Sequence, residues 1–353
     1  MTTQNHEYKV LARKYRPQDF SSLIGQDHVV KTLSNEFSSD KIPHAFIFTG
    51  IRGTGKTSLA RIIAKALNCI GSDGNNTKPT IKPCLSCSVC TDTAKGIHPD
   101  VIEMDAASKT GVDDIREIIE NCTYTPSSAR NKIYIIDEVH MLSNNAFNAL
   151  LKTLEEPPSH TKFIFATTEI EKIPLTILSR CQRFDLHKIS VELLSDFLAK
   201  ISKSEAIKTD GNSLNLIAEI AGGSVRDALS MLDQVQFLCE QDLKIDQVRL
   251  MLGLNSKNNN FLLLEKLIDG NPEACLEHIS ELFVKNISAQ KIIGNLLDSC
   301  HILTTQKVTG KPAKNLDAAT IVIIDRLLEK LDISVISRIW QMLLKGVAEL
   351  KIA

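Results

Sequence analysis

The sequence Gly50-Ile51-Arg52-Gly53-Thr54-Gly55-Lys56-Thr57 fits the phosphate-binding pattern G-x-x-x-x-G-K-[ST]. An apolar run at 45–48 precedes it and predicts a buried parallel strand, and good helix formers at 58–67 follow it. Glycines let the backbone turn tightly enough for its N–H groups to surround phosphate oxygens, and a helix N-terminus favours negative charge. This order of strand, loop and helix indicates a nucleotide site rather than a chance glycine-rich turn.

Two side chains of this loop have chemistry of their own. Lys56 would reach the β- and γ-phosphates of a nucleotide, and the Thr57 hydroxyl would bind Mg²⁺. ATP and Mg²⁺ are therefore the expected ligands. The other positions would bind phosphate mainly through the backbone: Gly50, Ile51, Arg52, Gly53, Thr54 and Gly55.

Two adjacent acids, Asp137 and Glu138, follow the apolar run 133–136 and have the form of a Walker B strand end. Asp137 would help to hold Mg²⁺, and Glu138 would orient and deprotonate the attacking water. Adjacent acids alone are weak evidence because surface acids are common. In a chain that also carries a P-loop, they predict ATP hydrolysis.

Further apolar segments at 99–105, 132–138 and 162–168 alternate with helical patterns. Such alternation predicts an α/β fold in which a parallel sheet carries helices on both faces. Beyond about residue 185 the strand signal fades and amphipathic helical patterns dominate. The sequence therefore predicts an α/β P-loop ATPase domain at 1–184, a small helical lid at 185–243 and an all-α C-terminal domain at 244–353.

The chain of 353 residues has an ordinary globular composition, with 43% hydrophobic and 24% charged residues. Its net charge of −1 is no general sign of nucleic-acid binding, and a basic excess in residues 1–65 suits either phosphates or a mixed surface. No apolar run approaches the ~18 residues of a membrane span, and the N-terminus lacks a signal peptide's apolar core. We therefore expect a cytoplasmic protein with no membrane partner.

Four of the nine cysteines are clustered, which in a reducing compartment favours metal binding over disulfides. Cys84, Cys87 and Cys90 have the spacing C-x-x-C-x-x-C, and Cys69 ends the helix predicted after the P-loop. Four thiolates can close a tetrahedral structural zinc site, here a module at about 69–90. An iron–sulfur cluster is the alternative, but the run lacks the fourth cysteine followed by proline, so zinc is favoured.

Three further polar residues each have two interpretations. Thr168 ends an apolar segment, where it would bond the γ-phosphate or the attacking water, or only cap a turn. Arg180 follows a short helix that starts at a proline, and would be an arginine finger for a neighbouring subunit's ATP, or a helix cap or surface ion pair. Arg226 begins a lid helix, where it would contact the γ-phosphate or face solvent.

Six segments are similar to the gamma/tau family of bacterial DNA polymerase III: 11–17 (LARKYRP), 24–26 (IGQ), 137–142 (DEVHML), 148–158 (NALLKTLEEPP), 179–181 (SRC) and 223–229 (GSVRDAL). Members of that family are the AAA+ ATPase motors of the sliding-clamp loader. The similarity is dense over about 8–240 and looser over the C-terminal helices. Together with the four-cysteine insert, these segments are far more specific than the P-loop alone.

The resemblance implies roles that the residues alone leave open. It identifies Arg180 with the arginine finger that acts in trans, Thr168 with the sensor 1 residue and Arg226 with the sensor 2 residue. The four cysteines match the family's zinc module, although the spacer between Cys69 and Cys84 is longer than usual. The C-terminal helices resemble the collar through which the subunits assemble. The segment that resembles the adenine-side wall includes Leu11, Arg13, Pro17 and Ile24.

The resemblance also implies partners. These are the delta and delta prime subunits and further gamma/tau copies in a hetero-pentamer, the ring-shaped clamp, and primed DNA bound through backbone phosphates. Ser108, Lys109 and Thr110, at a predicted helix N-terminus, are candidate phosphate contacts or simply a capped helix. The function is DNA replication within a polymerase holoenzyme, and we expect no polymerase active site in this chain itself.

Two rival functions make distinguishable predictions. A nonhydrolysing scaffold subunit would not need the complete P-loop, Glu138 or Arg226. A branch-migration helicase would need a C-terminal DNA-binding module, and none is predicted. Tau forms carry a long extension that tethers helicase and polymerase, whereas this sequence ends at Ala353, near the end of the collar. We therefore expect a gamma-like or truncated form, and assign it no role in helicase or polymerase tethering.

Overall fold

A computed structural model describes residues 10–39, 41–108, 111–238, 245, 248–249, 257–284, 287–312 and 318–350. The chain divides into two compact units, residues 1–243 and 244–353. Each unit is described below by itself.

A parallel sheet organises the first unit. Within its described residues, five strands lie in the order β2-β3-β4-β1-β5, and every neighbouring pair is parallel. The strands are β1 (Ala45–Thr49), β2 (Val101–Asp105), β3 (Lys132–Asp137), β4 (Thr161–Thr167) and β5 (Gln182–Asp185). The sequence patterns predict β1 to β4 but not β5, in which Phe184 is the one buried residue. A four-residue strand with one buried position has too little pattern to be recognised.

Helices cover both faces of the sheet, as the alternating pattern predicts. The described helices of this unit are α1 (Leu11–Lys14), α2 (Asp27–Ser38), α3 (Lys56–Asn68), α4 (Ser88–Lys95), α5 (Val112–Cys122), α6 (Asn144–Glu155), α7 (Leu175–Leu178), α8 (Val191–Ser204), α9 (Gly211–Ile220) and α10 (Val225–Leu238). Strand β1 shows how the faces are filled. Phe46 and Phe48 pack with α2 and α3, while Ile47 between them packs with α5 and α6. Alternating side chains of one buried strand thus contribute to two apolar cores.

Local signals in the sequence set the ends of several helices. The Ser143 hydroxyl accepts the Ala146 N–H over 3.3 Å at the start of α6, and Pro157 lies just beyond its end. In the lid, the Ser224 hydroxyl accepts the Asp227 N–H over 3.2 Å, which confirms the predicted cap of α10. These caps fix where the helices begin relative to the sheet.

All secondary-structure elements in the described part of the second unit are helices. Its described helices are α11 (Lys257–Ile268), α12 (Pro272–Val284), α13 (Ala289–Thr309), α14 (Ala318–Lys330) and α15 (Ile333–Leu350). Leucine and isoleucine side chains from these helices form one apolar core, in which Leu303, Ile324 and Leu327 are fully buried. Across the described parts of the whole chain, no helix is both long and apolar enough to cross a membrane.

Candidate nucleotide site and cysteine cluster

The phosphate-binding loop joins the end of β1 to the start of α3, and it needs its glycines. Gly50 and Gly53 have φ of 147° and 80°, in the region that favours glycine. A Cβ at Gly50 would lie 2.6 Å from the Leu186 carbonyl oxygen, and a Cβ at Gly53 would lie 1.9 Å from the Ser224 Oγ. The glycines therefore allow the loop to touch both the end of the sheet and the lid.

Lys56 is buried and folded back into the loop. Its Nζ donates to the carbonyl oxygens of Gly50 and Ile51 over 2.9 and 3.0 Å. Burial lowers the pKa of the Lys56 ammonium, and the negative charges of Glu138 and Asp137 partly oppose that shift. The cation thus lies inside the loop and in electrostatic contact with both acids at the end of β3.

The two predicted Mg²⁺ ligands touch each other. The Thr57 hydroxyl donates to the Asp137 carboxylate, with 2.6 Å between Oγ1 and Oδ2. Thr57 lies in the first turn of α3 and Asp137 at the end of β3. A hydroxyl and a carboxylate in contact fit the oxygen ligands that Mg²⁺ prefers.

Glu138, the predicted base, also contacts Thr168, the polar residue that follows β4. The Thr168 hydroxyl donates to the Glu138 Oε2 over 3.1 Å. Glu138 has a left-handed backbone conformation, with φ of 48° and ψ of 44°, which is uncommon outside glycine. The end of β3 and the end of β4 therefore bring two of the predicted catalytic side chains together.

The lid rests directly on the phosphate loop. The N–H groups of Val225 and Arg226 lie 3.1 and 3.4 Å from the Gly53 carbonyl oxygen, which accepts hydrogen bonds from both. The Arg226 Cβ would lie 3.2 Å from a Cβ at Gly53. Arg226 is thus placed beside the loop, as its predicted role requires.

Arg16 is a neighbour of this site that the sequence motifs did not single out, although it lies within the segment 11–17. Burial, followed by the positive charge of Arg61, lowers the pKa of the Arg16 guanidinium. Arg226 lowers that pKa further and Asp137 opposes the shift, so Arg16 lies within electrostatic range of both. Its signal in the sequence is only its membership of a family-like segment.

Arg180 lies elsewhere. Its guanidinium donates to the Thr176 carbonyl oxygen over 2.7 Å and forms an ion pair with the Glu155 carboxylate over 2.5 Å. In the isolated chain Arg180 therefore forms a surface ion pair, which is one of the two roles that the sequence allows for it. A finger acting on a neighbouring subunit would have to leave Glu155.

The residues of the predicted adenine-side wall differ in exposure. Leu11 is buried, and its N–H donates to the Asp233 carboxylate of α10 over 3.2 Å. Pro17 and Ile24 are half-buried, whereas Arg13 is exposed. The N-terminal segment is thus anchored to the lid through Leu11.

Of the candidate DNA contacts, Ser108 is the one that the described residues include, and Lys109 and Thr110 lie outside them. The Ser108 N–H and hydroxyl both donate to the Asp105 carbonyl oxygen, over 3.1 and 2.9 Å. Helix α5 then begins at Val112, and the Gly111 N–H donates to the Asp114 carboxylate over 3.3 Å. The Ser108 hydroxyl is therefore engaged in a turn within the chain.

The four clustered cysteines converge, as their spacing predicts. The sulfur atoms of Cys69, Cys84, Cys87 and Cys90 all lie within 4.8 Å of one another. A tetrahedral zinc ion with Zn–S bonds of about 2.3 Å separates its sulfurs by roughly 3.8 Å, so the cluster fits zinc. Backbone N–H groups point at the ligands: Cys84 N–H donates to the Cys69 sulfur and Cys87 N–H to the Cys84 sulfur, both over 3.3 Å.

The cysteine module is attached to the P-loop helix. Cys69 directly follows α3. The Arg130 guanidinium donates to the carbonyl oxygens of Leu67 and Cys69 over 2.8 and 3.0 Å, and to that of Asn76 over 2.7 Å. Sequence motifs gave no sign of Arg130, because its partners lie more than 50 positions away. A metal held by the cysteines would therefore stabilise the C-terminal end of α3.

Three family models match this chain in succession. They are described as "DNA polymerase III, delta subunit" over residues 25–190, "DNA polymerase III clamp loader subunit, ATPase lid domain" over 194–240, and "DNA polymerase III subunits gamma and tau domain III" over 243–353.

Curated relatives agree with these matches. The chain is 45% identical over 301 residues to the DNA polymerase III subunit gamma of Buchnera aphidicola subsp. Schizaphis graminum, covering 85% of this chain and 81% of that protein. It is 46% identical to the tau subunit of Bacillus subtilis, covering 82% and 50%, and 43% identical to that of Escherichia coli, covering 83% and 45%. It thus spans about half the length of these tau relatives.

Among solved structures, a point mutant of RuvB from Thermotoga maritima superimposes with a TM-score of 0.50 and 16% identity, covering 73% of this chain and 82% of that one. At this identity the likeness concerns the fold alone. It agrees with the predicted AAA+ fold, a parallel-sheet P-loop ATPase unit followed by a lid and a helical C-terminal region. From the family matches and the 45% identity over most of a gamma subunit, the chain belongs to the gamma/tau family of DNA polymerase III clamp-loader subunits.

Proposed function

We propose that this chain is the ATP-hydrolysing motor of a clamp loader, which uses ATP to place a ring-shaped sliding clamp on primed DNA. The observation that carries this proposal is the Thr57–Asp137 hydrogen bond of 2.6 Å, with Lys56 beside it in the loop. It joins the phosphate-binding loop to the acids at the end of β3. A scaffold subunit that binds no nucleotide would have no use for that junction.

At the site, the residues would divide the work. Thr57 and Asp137 would hold Mg²⁺, which neutralises charge on the phosphates when bound. Lys56 would exchange its two carbonyl partners for phosphate oxygens. Glu138 would accept a proton from the attacking water, and Thr168, whose hydroxyl already contacts Glu138, would help to place that water.

The lid would couple nucleotide to shape. Its first N–H groups, those of Val225 and Arg226, are bonded to the Gly53 carbonyl oxygen of the loop. Phosphates that bind in the loop would therefore change the hydrogen bonds between the loop and the lid. Arg226 would contact the γ-phosphate. Such coupling can favour a clamp-binding state only if that state binds ATP more tightly than the others.

The assembly would complete the site. Arg180 would leave Glu155 and act on ATP bound to a neighbouring subunit, so an isolated chain would turn over slowly. In this proposal residues 1–184 form the ATPase domain, 185–243 the lid and 244–353 the collar. The partners are delta, delta prime and further copies of the chain in a hetero-pentamer, with the clamp and the backbone phosphates of primed DNA.

The cysteine cluster would hold zinc in a structural role. All four ligands are thiolates from the chain, so no position remains for a reacting water. The ion would fix the loop between Cys69 and Cys84, which has little apolar core of its own. It would thereby support the end of α3 opposite the phosphate loop.

Clamp loading onto a primed circular DNA tests this function. A complex containing Glu138→Gln should bind ATP and the clamp but release the loaded clamp slowly, because the amide cannot accept the proton. Glu171→Gln, a change of an exposed acid, is the matched control and should load at the wild-type rate. Rapid repeated loading by the Glu138→Gln complex would contradict the proposed role of hydrolysis.

A further inference from the structure

His140 is buried next to the site and has no part in the mechanism above. It lies in a short 3-10 helix, Val139–Met141, directly after Glu138, and only 6% of its side chain is exposed. Its Nδ1 lies 3.0 Å from the Thr167 Oγ1 and 3.5 Å from the Glu138 Oε2. One nitrogen of the ring therefore faces both the end of β4 and the predicted base.

The other nitrogen faces a second acid. The His140 Nε2 lies 3.3 Å from the Glu169 Oε1, and Lys172 pairs with the other oxygen of that carboxylate over 2.8 Å. Both carboxylates only accept hydrogen bonds, so the ring donates to Glu169 through Nε2 and to Glu138 through Nδ1 in the form that carries a hydrogen on each nitrogen. A carboxylate that holds a histidine by one nitrogen fixes the orientation of the ring.

The backbone of Glu169 also bonds to a member of this group of side chains. The Glu169 N–H donates to the Thr167 Oγ1 over 3.0 Å, so the hydroxyl that meets His140 is itself held in place. Contacts thus lead without a gap from the surface at Lys172, through Glu169 and His140, to Glu138. Every step joins groups within 3.5 Å.

Glu138 needs such support. Its backbone is left-handed, with φ of 48°. A residue with a Cβ keeps this conformation only where the surrounding structure stabilises it. Its Oε2 accepts the Thr168 hydroxyl on one side and faces His140 on the other. Small displacements of a catalytic group are costly in rate, so these two neighbours would determine how well the base is aimed.

We propose that His140 is a positioning residue for ATP hydrolysis, which holds the Glu138 carboxylate against Thr168 and is itself oriented by Glu169. This inference rests on the proposed function, because it takes Glu138 to be the group that activates water. Within the described part of the chain, the hydrogen-bond and ion-pair partners of His140 are Thr167, Glu138 and Glu169, which all lie outside the phosphate loop. Its loss should therefore change turnover and leave nucleotide binding intact.

The test compares two substitutions of His140 in the complete loader complex. His140→Ala removes the ring and should lower kcat about tenfold, while KM and the Kd of a fluorescent ATP analogue stay within about twofold. His140→Asn places an amide near the position of Nδ1, so it should recover most of kcat. Glu171→Ala, which alters an exposed neighbour of Glu169, is the control and should keep kcat unchanged.

A third variant guards against simple loss of folding. Glu169→Gln changes a half-exposed side chain, should fold normally, and should lower kcat about threefold because the ring loses its carboxylate. An unchanged or raised kcat in His140→Ala or in Glu169→Gln, each with normal melting, would overturn the proposal. A kcat of His140→Asn that is no higher than that of His140→Ala would also overturn it. A wild-type complex without ATPase activity would instead refute the proposed function, so the two failures are distinguishable.

Discussion

The Thr57 hydroxyl donates a hydrogen bond of 2.6 Å to the Asp137 carboxylate across 80 positions of sequence. Thr57 lies in the first turn of the helix that follows β1, and Asp137 ends β3, which β4 separates from β1. Parallel strands bring their carboxyl ends to one edge, so two motifs that are distant in sequence meet there.

The first prediction concerns this pair. Thr57→Ala removes the hydroxyl and should raise the Mg²⁺ concentration for half-maximal ATPase activity about tenfold, because one oxygen ligand is lost. Thr57→Ser keeps the hydroxyl and should behave like the wild type. The measurement is the ATPase rate of the reconstituted complex as Mg²⁺ is titrated at constant ATP. Equal Mg²⁺ requirements for Ala and Ser would argue that Thr57 does not bind the ion.

The second prediction concerns Arg180. Arg180→Ala should lower the ATPase rate of the complex by roughly 10³-fold with little effect on ATP affinity, as expected for an arginine finger. Glu155→Gln breaks the same ion pair from the other side and frees the arginine, so the rate should not fall. If both substitutions lower the rate and the melting temperature alike, Arg180 has only the role of a surface ion pair.

The third prediction concerns the cysteine cluster. The purified chain should contain one zinc ion, and Cys87→Ser should release it and lower the melting temperature, because Cys69 and α3 lose their anchor. Ser88→Ala, which changes an exposed residue next to it, should keep both zinc and stability. Iron with a visible absorption band in the purified chain would favour an iron–sulfur cluster instead.

The fourth prediction concerns Asp100, whose buried carboxylate accepts five hydrogen bonds of 2.8 to 3.1 Å from Ser127, Ser128 and Ala129. Burial alone would raise its pKa, but these hydrogen bonds lower the pKa from 3.8 to about 2. Because the native pKa is depressed, the carboxylate stabilises the fold above pH ~4, and this contribution fades as the pH falls toward ~2. At neutral pH it amounts to about 2 kcal/mol of unfolding free energy.

Asp100→Asn should therefore lower the unfolding free energy at neutral pH, because the amide offers donors where the loop also offers donors. The difference from the wild type should shrink between pH ~4 and ~2 as the native carboxylate becomes protonated. Urea unfolding at several pH values measures both effects, with the exposed Asp196→Asn as control. A difference that does not vary with pH would rule out the carboxylate's charge as the cause.

The sequence was most informative where chemistry is carried by contiguous residues. The loop 50–57 and the acids after β3 are local patterns, and the sheet carries them to one place as predicted. The four-cysteine cluster follows from spacing in the same way, because its ligands must converge to hold an ion.

Residues whose partners are distant in sequence could not be found in this way. Arg130 bonds carbonyl groups more than 50 positions away, and His140 faces Thr167 and Glu169 on another strand end. Arg130 carries no local pattern that distinguishes it from an ordinary arginine, and the signal of His140 is only its membership of the family-like segment 137–142. Strand β5 was missed for a different reason, because burial of Phe184 alone leaves no alternation to recognise.

The central claim is that this chain couples ATP hydrolysis to clamp loading, and steady-state ATPase activity of the reconstituted complex tests it most directly. With clamp and primed DNA both present, the rate should rise well above that with either alone. Lys56→Ala should abolish the stimulated rate, whereas Lys41→Ala, an exposed lysine, should not. A rate indifferent to clamp and primed DNA, or one that survives Lys56→Ala, would contradict the account.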